Sequence, residues 1–310
     1  MTTIDRTTID WLLDADPAIR WQVLRDLTDA SDEEVTAERA RVAREGWGAA
    51  VLAAQAADGR WGEGTFFPRG IGTFDTLVLL YLFGIDPADD AVRRAIAPVH
   101  EVARWDYDSS FQFWDGEVEP CINGRVVAIG AYLGQDVRGI VDRLLTEQMA
   151  DGGWNCEQEN GSVRGSFDTT INVLEGFLEF EHSVGADGDI ATARERGEEY
   201  LLERRLLHRM SDGEVPQDRW TKLGFPYSWE YDILRALDHF REARPGPEER
   251  MTEALGILES KREADGRWPL EAAYQEVMPV DLDETVGAPS RWITHRALRV
   301  LRWARVATPA

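Results

Sequence analysis

The chain has 310 residues, 43% of them hydrophobic, which is enough for one large core or two small ones. Its formal net charge of -23, from 34 basic against 57 acidic residues, sets up a field that repels polyanions, so nucleic acid is excluded as an expected partner. Two cysteines, Cys121 and Cys156, are too few for a disulfide scaffold; the longest apolar stretch, 76–85, is too short to span a bilayer; and the N-terminus lacks the basic and apolar regions of a signal peptide. The expected location is the cytoplasm.

In chain order, three- and four-residue apolar spacing predicts a helix pair within 8–27 and 31–45, then a helix over 41–55 that runs into the turn "QAADGRW". A second, more apolar helix follows over 74–85. The same alternation recurs, with apolar helices at 124–134, 167–180, 229–240 and 290–304 and a charged-faced helix at 137–148. Between them a turn of one kind is rebuilt: Gln or Arg, two residues, Asp-Gly, one residue, then Trp or Val, starting at Gln55, Gln112, Gln148, Arg209 and Arg262. Asp-Gly is a turn signal because Gly accepts positive φ and Asp bonds its own backbone. Successive starts lie roughly fifty residues apart, the range of repeat arrays. Thr73, Ser166, Ser228 and Ser290 precede the apolar helices as expected N-caps. Around a dozen helices, alternately outer and inner, therefore form one domain over 1–310: the N-terminal pair at about 8–45, then five repeats. Stacked in a line they would leave exposed ends, whereas a ring closes on itself.

The Gln-x-x-x-Gly-x-Trp spacing at Gln55/Gly59/Trp61 and Gln148/Gly152/Trp154, with Leu144 four residues before the second Gln, resembles the QW repeat of squalene and other terpenoid cyclases. Arg262 replaces the Gln in a third copy ending at Trp268. The resemblance covers about 40–304 and implies an all-α (α/α)6 toroid, as in those cyclases and the protein prenyltransferase β subunits. It also implies that each Gln caps a neighbouring helix end while the Trp packs on the next repeat. Trp61, Trp154 and Trp268 are thus expected to be structural staples.

Chemistry in such a barrel is expected where inner helices begin. Asp75 and Asp168 each lie fourteen residues past a staple Trp, both in the phrase "FDT", and Asp232 occupies "YDI". A first-turn acid either interacts with the helix dipole or binds substrate, and both readings stand. "VDLDETVG" places Asp281, Asp283 and Glu284 in an order that resembles the Asp-x-Asp-Asp-Thr motif of class II terpenoid cyclases, whose middle acid protonates an alkene or epoxide. That implies Asp283 as the acid, with Asp281 and Glu284 as its neighbours. Glu284 departs from the motif, Pro289 interrupts the helix that should follow, and an acidic surface loop is the competing reading.

No cofactor is favoured, and zinc is the one candidate. No Asp-x-Cys pair of the prenyltransferase kind occurs, but Cys121 and Cys156 each follow a turn, where they could converge on a metal with Asp168 and a His, or serve as small apolar fillers. Twelve Trp is a high count; Trp114, Trp229 and Trp292, with Phe225, Tyr227 and Tyr231, supply candidate walls for an apolar pocket, core packing being the alternative. The expectation is a squalene cyclase- or prenyltransferase-like protein that binds an isoprenoid or similar hydrophobic molecule. The alternatives are a non-catalytic binding or scaffold toroid and a carbohydrate-active (α/α)6 protein.

Overall fold

The structure is a computed structural model, described over residues 4–306. Among these residues the regular elements are all helical, with only isolated β-bridges and no strand. No helix is long and apolar enough to cross a membrane. The first predicted helix divides into α1 (Arg6–Leu13) and α2 (Pro17–Leu27), because Asp16 caps the backbone of Ala18 and Pro17 can only begin a helix. After α3 (Asp32–Arg41) the chain breaks again at Gly46, whose φ of 61° lies in the left-handed region, before α4 (Gly46–Ala53). The predicted helices 31–45 and 41–55 are shortened for that reason.

The remainder alternates as expected. α5 (Thr73–Phe83) is followed by α6 (Asp90–Ile96) and α7 (Val99–Val102), and α8 (Pro120–Tyr132) by α9 (Arg138–Thr146). Then come α10 (Phe167–Ser183) and α11 (Gly188–Glu203), α12 (Ile233–Ala243) and α13 (Thr252–Ser260), and lastly α14 (Arg291–Val306). Ser166 and Ser290 cap their helices, accepting from Thr169 and Ile293. Asp232, not Ser228, caps α12, and Thr73 lies inside α5, its hydroxyl bonded to the Trp61 backbone.

Three turns share one construction. In each, the indole Nε1 donates to a carbonyl ten residues earlier: Trp61 to Val51 at 2.8 Å, Trp154 to Leu144 at 2.8 Å, Trp268 to Leu258 at 2.7 Å. The backbone N–H of the same Trp donates to a threonine of the following buried helix, Thr73, Thr170 or Thr294. Gln55 and Gln148 each donate to the Gly within the turn and to a carbonyl of the next outer helix, Ala95 at 2.6 Å and Ala193 at 2.7 Å. The turn is a staple that satisfies helix-end carbonyls while filling the space beneath with an indole. Arg262 instead stacks its guanidinium on Trp268, 5.3 Å from the ring centre. Gln112 departs from the pattern. It pairs with Arg104 in a β-bridge, and Val118, where a Trp would stand, is exposed.

The buried helices touch in succession. α8 and α10 pack closely enough that a Cβ on Gly124 would meet the Asn172 backbone at 2.5 Å and one on Gly176 the Gly124 carbonyl oxygen at 2.4 Å. α12 packs on α10 and α14, α14 on α2, and Trp21 of α2 donates to Phe83 O at the end of α5, at 2.9 Å.

Candidate functional site

The loop 222–232 inserts Tyr227, a buried ring with three guanidinium groups about it: Arg296 at 4.6 Å, Arg235 at 4.7 Å and Arg125 at 5.4 Å from its centre. Arg125 and Arg235 are fully buried, one from α8 and one from α12. Both converge on Glu175 of α10. Arg235 makes a two-pronged contact at 2.8 Å through each nitrogen, and Arg125 Nη2 lies 2.7 Å from Glu175 Oε2. Arg235 also donates to Glu230 O and Asn172 Oδ1, and Arg125 to Ser228 O. Burial alone would raise the Glu175 carboxyl, but the two guanidinium groups outweigh it and hold the pKa at about 2. Glu175, Tyr227 and Arg235 also line a polar cleft of about 320 Å³, edged by Arg25, Tyr81, Glu179, His182, Asp238 and Glu242. Beneath Tyr227, next to Asp75, Gln275 and Met278, only about 10 Å³ is free.

The first-turn acids are occupied. Asp75 is gripped by Arg69 at 2.8 and 3.0 Å and by the N–H of Gly70 at 2.6 Å. Asp168 pairs with Arg219 at 2.6 Å and accepts from Tyr231 N at 2.8 Å. Asp232, buried at the N-cap of α12, has its pKa raised by desolvation. They do not share a pocket. Asp168 edges a wider cleft of about 680 Å³ with Arg164, Met210 and Trp220, well away from the Asp75 gap by its lining.

The aromatic wall is also corrected. Phe225 stacks on Trp292 at 4.3 Å, Trp292 on Phe83 at 5.8 Å, and Trp114 meets Phe113 edge-on at 4.6 Å. Tyr231 packs on Phe167 and Trp220 and donates to Leu206 O. These four rings are core, at no more than 3% exposure each. Trp229 is half-buried beneath Arg219 and lines none of the clefts described.

The class II order fails at its middle residue. Asp281 and Asp283 are exposed, and Asp283 adopts a φ of 55° with its N–H bonded to Asp281 Oδ1 at 2.9 Å, a local turn that short acids favour. The motif requires its middle acid to be enclosed with neighbouring carboxylates, whereas Asp283 stands on the surface. Glu284 is different. Its Oε1 accepts from Arg291 N at 3.1 Å, its Oε2 is buried without a hydrogen bond among the described residues, and burial lifts its pKa to about 7. It edges a cleft of about 380 Å³ with Asp14, Asp16, Trp47, Asp283 and Arg291.

The two cysteines do converge. Cys121 Sγ and Cys156 Sγ are 2.9 Å apart, and Glu119 Oε2 is 3.5 Å from Cys121 Sγ. Glu119, Cys121 and Cys156 form the one cluster of metal-type donors among the described residues; neither Asp168 nor a His joins it. The buried Arg125, Arg235 and Arg296 and the part-buried Glu175 were not singled out from the sequence, although "NGRVVAIGAY" carries the signal, a lone charge in an otherwise apolar helix. Compared with known proteins, the chain matches no family profile and no curated protein.

Proposed function

We propose that the chain closes into an (α/α)6 toroid of the terpenoid cyclase and prenyltransferase kind, with α2, α5, α8, α10, α12 and α14 inside, and that it is a binding module for a small polar molecule rather than an isoprenoid cyclase. The closure is supported by the contact of α14 with α2, where His295 meets Asp26 at 2.9 Å. One observation supports the functional reading: Tyr227, three arginines and Glu175 put a charged cluster between α8, α10, α12 and α14, where the proposed toroid would need an apolar chamber to be a cyclase. What is left open is the cleft of about 320 Å³, whose rim offers both cations and carboxylates, a setting for a ligand bearing both charges.

Native mass spectrometry of the purified protein, with squalene and farnesyl diphosphate as added probes, tests this. Neither probe is expected to be retained or converted. A small polar molecule is expected in the wild type and absent from a variant combining Arg25→Ala and His182→Ala, which alters only exposed rim residues. Turnover of either isoprenoid, or a ligand indifferent to the rim variant, overturns the reading.

A second reading rests on Glu284, a carboxyl with pKa about 7 facing a cleft that also holds Asp14 and Asp16. That is the protonation state of a general acid near neutral pH, and it suits hydrolysis of a sugar-like substrate. Activity on a panel of chromogenic glycosides, lost in Glu284→Gln, would favour it over the binding module.

A further inference from the structure

Cys121 and Cys156 sit far apart in sequence, and separate devices bring them together. Pro120 opens α8, placing Cys121 at its second residue. Cys156 begins a short 3-10 turn immediately after the Trp154 staple, held by Asn155, whose Oδ1 accepts from Glu157 N at 2.9 Å and whose Nδ2 donates to Arg164 O at 2.8 Å. From below, Thr169 Oγ1 of α10 lies 3.4 Å from Cys156 Sγ. The resulting 2.9 Å separation brings two chemistries within reach. Two thiolates on one tetrahedral zinc, with bonds of about 2.3 Å, stand about 3.7 Å apart. A disulfide closes at about 2.05 Å, so 2.9 Å falls between the two, and with Glu119 as the third donor the cluster is one ligand short of a closed tetrahedral zinc site.

We infer that Cys121 and Cys156 are a thiol-modification site, at which a low-molecular-weight disulfide is reduced and a Cys121–Cys156 disulfide forms. Cys156 is the entry point because it is partly exposed, while Cys121 is buried. The sulfur–sulfur hydrogen bond lowers the Cys156 pKa against the opposing effect of burial and, together with burial, raises that of Cys121, so Cys156 ionises first. The Cys156 thiolate attacks one sulfur of the external disulfide, forming a mixed disulfide and releasing one thiolate, which takes up the proton Cys156 gave to solvent. Cys121 then loses its proton, with Glu119 Oε2 at 3.5 Å as the nearest base, and attacks Cys156 Sγ, expelling the second thiolate. Two protein thiols and one external disulfide become one protein disulfide and two small thiols.

The experiment uses the full chain, fully reduced and desalted, exposed to oxidised glutathione and followed by intact mass and by non-reducing peptide mapping. The expected product in the wild type has lost two hydrogens, carries no adduct, and yields a single linked peptide pair containing Cys121 and Cys156. Cys121→Ser is expected to stop at one glutathione adduct on Cys156, and Cys156→Ser to be at least tenfold slower to react, consistent with the burial of Cys121. The wild-type mapping stands without either variant, should one fail to fold. Two adducts per wild-type chain, no reaction on a timescale at which a free cysteine peptide reacts fully, or one tightly held zinc that blocks the exchange would overturn the inference.

Discussion

Trp154 is fully buried, its ring edge-on to Phe177 at 5.7 Å and its nitrogen satisfied by Leu144 O. Removing it leaves both a cavity and an unpaired carbonyl, so Trp154→Ala is expected to lower stability by about 3–5 kcal/mol in urea unfolding. An unchanged midpoint would mean the indole is no staple. Glu284 gives a prediction of the opposite kind. Its ordinary pKa of 4.5 is raised to about 7 by burial, so between those values the folded chain binds more protons than the unfolded one. Stability is then present at low pH and is lost as pH rises from about 4.5 to about 7. His295 opposes this: burial depresses its pKa from 6.5 to about 4, despite Asp26, so its contribution grows over the lower part of the same window. Comparing wild type with Glu284→Gln cancels the histidine. The variant is expected to match wild type at pH 4.5 and to exceed it by about 1–3 kcal/mol at pH 8, part of the shift being discounted for solvent access. A difference independent of pH would show that the carboxyl does not titrate as described.

At the scale of elements, the staple turn ties an outer helix to its successor through a single amide. Gln148 Nε2 bridges Gly152 O and Ala193 O, so Gln148→Ala removes two hydrogen bonds at once and is expected to cost about 1–2 kcal/mol, with an unchanged denaturant slope. A cost near zero would assign the staple to the Trp alone. These turns were legible because Asp-Gly and the Trp lie within seven residues, a local signal with a local cause. Gln112 shows the limit of that signal. It begins the same string, but "FWDGEV" supplies no Trp at the end, and the segment pairs with Arg104 instead. Helix caps followed the same division: Ser166 was readable, whereas at 228–232 the choice between Ser228 and Asp232 depended on where the aromatic loop packs. The acids of "VDLDETVG" were legible as a group but not in their roles, since one residue of register decides which carboxyl faces water.

For the whole molecule, the helices were readable from apolar spacing, while the charged cluster between them was not, because Arg125, Glu175 and Arg235 come from three separate helices. What the sequence offered was a charge inside each of several apolar helices, and a charge so placed must find a partner or unfold its surroundings. The chain's -23 net charge hides this, since the excess of acid says nothing about the guanidinium groups enclosed by it. Glu175 is the carboxylate on which two of them converge. Converting it to Gln keeps the shape but removes the charge that Arg125 and Arg235 share, so Glu175→Gln is expected to cost about 3–5 kcal/mol in urea at pH 7. The control is Glu199→Gln. Glu199 meets Arg250 at 2.5 Å on the surface, where water screens the pair and the cost is expected to stay within about 1 kcal/mol. Equal costs for the two would mean that water screens Glu175 as fully as Glu199, and that Arg125 and Arg235 do not depend on its charge.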